Sequence, residues 1–110
     1  MFGHVGVQPV GSLADTANLL AEALGGLSFA EDRDRRYDEY PAYTAVRDGL
    51  RYALLGLPAS EEDIRDDPSD DFELLVEPVS VHPGLPKSDI STDLIARIGS
   101  HGRLVCWALT

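Results

Sequence analysis

The chain has 110 residues, a formal net charge of −10 and one cysteine, Cys106, a length that gives one domain, 1–110, able to bury roughly two thirds of its unfolded surface unaided. A lone cysteine excludes an internal disulfide and a cysteine-rich zinc site, and no apolar run approaches the ~20 residues that span a bilayer. Met1-Phe2-Gly3-His4 lacks the basic and apolar regions of a signal peptide, so the expected compartment is the cytoplasm.

His4 to Val10 alternates weakly and predicts a strand, closed by Pro9 and Gly11. Ser12 then opens a helix, its hydroxyl accepting from the backbone amide of Asp15, whose carboxylate sits well near the positive helix end. Leu13, Ala17, Leu20 and Leu24 form one apolar stripe, and Gly25-Gly26 ends it. A short strand is expected over Leu27 to Ala30, followed by a solvated mixed-charge run, Glu31-Asp32-Arg33-Asp34-Arg35-Arg36. Tyr37, Tyr40 and Tyr43 recur at intervals of three, but Pro41 pushes this segment to extended structure. Asp48-Gly49 predicts a two-residue hairpin between Tyr43–Arg47 and Leu50–Leu55, because a type I′ turn needs positive φ at both central positions.

Leu57-Pro58 closes that hairpin. Ser60 can cap one helical turn over Glu61, Glu62 and Asp63, stopped by Pro68. Phe72, Leu74 and Val76 alternate with Glu73, Leu75 and Glu77 as a strand with one buried and one mixed face, and Pro78 marks an edge or a bulge at its end. His82-Pro83-Gly84-Leu85-Pro86 reads as a loop. Ser88 or Ser91 caps a second helix, in which Ile90, Leu94 and Ile98 share a face with Ile95 beside them, and Gly99 or Gly102 ends it. Arg103 to Leu109, apolar on both faces, is expected to lie inside the sheet. The predicted class is α+β: two layers, a mostly antiparallel sheet of five to six strands and two helices, in the order β-α-β-β-β-β-α-β.

Negative charge is focused on one part of the chain, with residues 49–81 contributing −7 and residues 82–110 contributing +1. Between Glu61 and Asp71 seven carboxylates (Glu61, Glu62, Asp63, Asp66, Asp67, Asp70 and Asp71) face a single guanidinium, Arg65. Such a surface repels nucleic acid and anionic membrane and suits a basic protein partner. The first three acids also fit a helical turn, and Asp67-Pro68-Ser69-Asp70 fits a type I turn, so solvation and interaction both remain open for this loop. Tyr37 and Tyr40 flank Asp38 and Glu39; this stretch suits an interface rim or the cover of a sheet edge. Tyr52 and Trp107 are expected in the core.

Asp66, Pro68, Asp70 and Glu77 fall at positions one, three, five and twelve of a calcium loop, but proline at the third and Asp71 at the sixth, where glycine is needed, argue against it. His4, His82 and His101 form no ligand pair. Cys106 with His101 five residues upstream could be a nucleophile and base, yet Leu104-Val105-Cys106-Trp107 reads more simply as a strand with a buried thiol. No catalytic constellation, cofactor or metal site is predicted, and no small-molecule substrate.

Asp38-Glu39-Tyr40-Pro41-Ala42-Tyr43-Thr44-Ala45, Tyr52-Ala53-Leu54-Leu55-Gly56-Leu57-Pro58, Asp66-Asp67-Pro68-Ser69-Asp70-Asp71-Phe72-Glu73-Leu74 and Gly102-Arg103-Leu104-Val105-Cys106-Trp107 together resemble small bacterial immunity proteins of polymorphic toxin systems, of the Rhs and contact-dependent inhibition kind. The resemblance implies a non-catalytic inhibitor that binds a cognate toxin domain, often a nuclease. The expected binding residues, on the charge argument, are the seven carboxylates of 61–71 together with Asp38, Glu39, Tyr37 and Tyr40, occluding a basic substrate cleft. Two other readings stand beside it: a different acidic inhibitor of a nucleic-acid enzyme, such as a phage-encoded nucleic-acid mimic, and a small enzyme using paired carboxylates.

Overall fold

The Asp48-Gly49 turn has φ of 54° and 78°, so both central positions are left-handed as the hairpin requires, and it sets the register of the strands on either side. In this computed structural model, which describes residues 2–32, 40–57, 71–79 and 89–109, the hairpin strands are β3 (Ala42–Arg47) and β4 (Leu50–Leu55). They follow β1 (Gly3–Val7), helix α1 (Leu13–Ala23) and β2 (Ala30–Glu31), and precede β5 (Phe72–Pro78), helix α2 (Ser91–His101) and β6 (Cys106–Ala108). The sheet order is β2-β3-β4-β5-β1-β6, with every neighbouring pair antiparallel. The α+β class and the element order agree with the sequence reading.

Both helices cover one face. Leu54, Leu74, Val5 and Val7 project from three adjacent strands into a core completed by Leu20 and Leu24 of the first helix region and by Leu94 and Ile98 of α2. The α1 stripe is buried as its spacing predicts, apart from half-buried Leu13. Ser12 and Asp15 form a reciprocal capping box, Asp15 N–H donating to Ser12 Oγ and Ser12 N–H to the Asp15 carboxylate, both at 3.1 Å. At the other end, Arg47 Nη2 donates to the Leu24 carbonyl at 2.6 Å, placing a cation where the helix dipole is negative.

Four local expectations shift. The start of α2 is capped by neither Ser88, which lies outside the described residues, nor Ser91. The cap position is Ile90, and it is the Asp89 carboxylate that accepts from the Ser91 amide at 2.9 Å, while the Ser91 hydroxyl turns inward to accept from His4 N–H at 3.0 Å. The second strand is only Ala30–Glu31, since Leu27 is buried as the chain leaves α1. The final strand is an edge, not an interior strand. β1 takes the interior place because its alternating Val5 and Val7 pack on the core while Gly6 admits a neighbour on the far face. Pro78 lies at the end of an interior strand, and its missing N–H is harmless for a geometrical reason. Toward β4 it occupies a non-hydrogen-bonded position, with Val79 N–H donating to the Gly49 carbonyl beside it. On its other side β1 starts only at Gly3, opposite Val76.

Candidate functional site

Strand register determines what lies on the face the helices leave free. Trp107 pairs with Gly6, Gly6 with Glu73, Glu73 with Leu55 and Leu55 with Ala42, and side chains directly opposite one another share a face. By the same ladder His4 lies beside Leu75, Leu75 beside Ala53, and Ala53 beside Thr44. One row further, Glu77 lies beside Arg51 and Arg51 beside Val46. This second face carries its own small apolar cluster, with Ala42, Ala53 and Leu55 buried and Tyr40 and Leu75 packed against them.

Polar groups frame that cluster. His4 Nε2 lies 3.2 Å from Glu73 Oε2, with both side chains about two-fifths exposed, and Arg51 Nη1 lies 3.6 Å from Glu77 Oε1. A pair as open to water as His4–Glu73 contributes at most ~1 kcal/mol and serves mainly to fix side-chain positions. Trp107, expected in the core, instead lies half-buried on this face with its indole over Gly6, where a Cβ would overlap the ring. Val46, 61% exposed, extends the face toward the hairpin turn.

Of the residues predicted to bind a partner, Tyr40 and Asp71 are described. Tyr37, Asp38, Glu39, Glu61, Glu62, Asp63, Asp66, Asp67 and Asp70 lie outside the described residues. Tyr40 is half-buried against Ala42, Ala53 and Leu55, and Asp71 is half-buried immediately before β5. These two residues share one end of the sheet. Gly56 N–H donates to the Pro41 carbonyl at 2.7 Å, and Asp32 N–H donates to the Ala42 carbonyl at 2.8 Å. Residues 32, 40, 57 and 71, from which the chain runs to and from segments 33–39 and 58–70, therefore stand at a single rim, the one next to the Ala42–Leu55–Glu73 row. Together those two segments and Asp71 hold all eleven proposed contacts except Tyr40.

The remaining candidate chemistry is separated. Glu77, twelfth in the calcium reading, is in a strand beside Arg51, and among the described residues no group of three or more His, Cys, Asp or Glu is placed to hold a metal ion. His101 Nε2 faces Glu22 Oε2 at 3.5 Å, joining the ends of the two helices, and its buried Nδ1 has no hydrogen-bond partner. The Cys106 thiol points elsewhere, its Sγ 3.9 Å from the Ile95 carbonyl, and burial pushes its pKa up, which disfavours the reactive thiolate. Among the described residues no helix is long and apolar enough to cross a membrane.

The face residues Glu73, Leu75, Glu77, His4, Arg51 and Trp107 were not grouped by sequence reasoning. The alternation along Phe72–Pro78 carried part of the signal, but only strand order reveals that three neighbouring strands and the edge contribute to the same surface. Compared with protein-family models, with curated proteins and with solved structures, the chain finds no match in any of the three.

Proposed function

We propose that this protein is an immunity-type inhibitor that binds a basic toxin domain with the carboxylate-rich rim and the adjoining helix-free face. The observation that carries the reading is the convergence of residues 32, 40, 57 and 71 at one end of the sheet, because it brings the attachment points of the segment holding Tyr37, Asp38 and Glu39 and of the carboxylate-rich segment 58–70 together. Tyr40 supplies aromatic area beside them, packed on a small apolar cluster. Inhibition is by occlusion: carboxylates pair with the Lys and Arg that hold the toxin's substrate, and Tyr40 with its neighbours excludes water from those pairs. Interfaces of this kind combine strong steering with close charge pairs that couple by ~1.5 to 7 kcal/mol.

The test is copurification from the native operon, mass identification of the bound protein, and titration of that protein's activity with this chain. The expected partner is basic, its activity falls stoichiometrically, and neutralising Asp66, Asp67, Asp70 and Asp71 to Asn weakens association by at least about tenfold. A partner that binds the neutralised variant equally well would overturn the reading.

A further inference from the structure

The two outer strands of the sheet are not alike. β2 is two residues long, carries Glu31 and is followed by Asp32, so its outward edge is guarded by carboxylates. β6 has no such guard. From Leu104 to Leu109 the chain contains no charged residue and no proline, and Val105 is 60% exposed beside it.

The hydrogen-bond phase of this edge is fixed by its inner neighbour. Gln8 N–H donates to the Val105 carbonyl at 2.9 Å and Leu109 N–H to the His4 carbonyl at 3.1 Å. Because bonding alternates along an antiparallel pair, Trp107 also bonds inward to Gly6, and the backbone groups of Cys106 and Ala108 point outward. Among the described residues, no strand pairs with that outer side.

We propose that this edge pairs with a second copy of the chain, two β6 strands running antiparallel about a two-fold axis through Trp107. Cys106 of each copy then bonds with Ala108 of the other, and the two Trp107 side chains meet at the closely spaced, non-hydrogen-bonded position on the helix-free face. The arrangement is self-complementary, as a two-fold contact must be. Two anionic copies repel, and they repel least when they meet at this edge. The sequence 91–109 holds Asp93 against Arg97 and Arg103, whereas the sequence 42–78, from β3 to β5, carries −7 of the −10. Pairing through β6 keeps the two β2-to-β5 sides, where segments 33–39 and 58–70 attach, at opposite ends of a continuous twelve-stranded sheet.

Sedimentation velocity of the full chain tests this, with two variants. Ala108→Pro removes one outward N–H without touching a bond to β1, and Val105→Lys places a charge at the edge. The unmodified chain is expected to sediment as a concentration-dependent dimer that added salt strengthens, since screening relieves repulsion between two anionic copies. Both variants are expected to shift the apparent mass to one chain, with circular dichroism unchanged. If Ala108→Pro fails to fold, Val105→Lys alone decides. A chain that stays single at all concentrations, or a dimer that Val105→Lys leaves intact, overturns the proposal.

Discussion

At the scale of single residues, the closest approach to any described glycine is that of Trp107 to Gly6. Any side chain at position 6 must displace an indole that closes the helix-free face next to the His4–Glu73 pair. Gly6→Ala should therefore destabilise the fold by about 1–3 kcal/mol, as overpacking does. Much of that loss should disappear when Trp107→Ala is already present. Urea denaturation of both single variants and the double variant measures the coupling, and simple additivity would show that the ring does not rest on Gly6. None of this was legible from the sequence, where Gly6 looked like one more small residue in a weakly alternating strand and Trp107 like core. A glycine facing an aromatic across a strand pair is recognisable only once the pair is known.

Whole elements were easier to read, because their signals are local. The capping box at Ser12 and Asp15, the apolar stripe to Leu24, the Asp48-Gly49 turn and the left-handed Gly102 that ends α2, φ 82°, all depend on residues a few positions apart. The start of α2 was misread because two serines competed with an aspartate, and the tertiary demand of the His4 amide decided which role Ser91 took. Asp89 consequently has a testable electrostatic role. Hydrogen bonding with the Ser91 side chain, and then with its backbone amide, holds the Asp89 carboxyl below its ordinary value of 3.8. A lowered folded-state pKa means that the native state binds fewer protons, so this contribution is present above pH 3.8 and disappears as pH falls through the folded value beneath it. Asp89→Ala should accordingly be less stable than the parent chain above pH 3.8, with the gap narrowing as the solution is made more acidic. Denaturation curves on both sides of that pH check it, and a gap independent of pH would mean that the charge is irrelevant to the cap. The edge position of β6 was misjudged for a different reason: its composition suits an interior strand, but β1 occupies the place between β5 and the edge.

For the molecule as a whole, the concentration of charge along the sequence and the fold class were legible without coordinates, while the surface beside the attachment points of segments 33–39 and 58–70 needed the strand order. Tyr40 and Asp71 lie 31 residues apart in sequence, and only the hairpin and its pairing with β5 put them at one rim. On the proposed reading, the seven carboxylates that the sequence crowds into residues 61–71 repel one another. Stability of the isolated chain should therefore rise as salt increases from ~10 mM to ~150 mM, over which the screening length falls from about 30 to 8 Å. Thermal melting across that range measures it, and a flat response would indicate that the carboxylates are already neutralised within the chain. The placement of β1 has a kinetic consequence as well. Its five residues register against Phe72–Val76 on one side and three of them against Cys106–Ala108 on the other, so β1 stays without a ladder until a partner 65 residues further along the sequence (Val7 to Phe72) has been made. Loop closure over such separations slows folding, and a nascent Gly3–Val7 segment waits unpaired, Val5 and Val7 uncovered, while α1 and the β3–β4 hairpin are made.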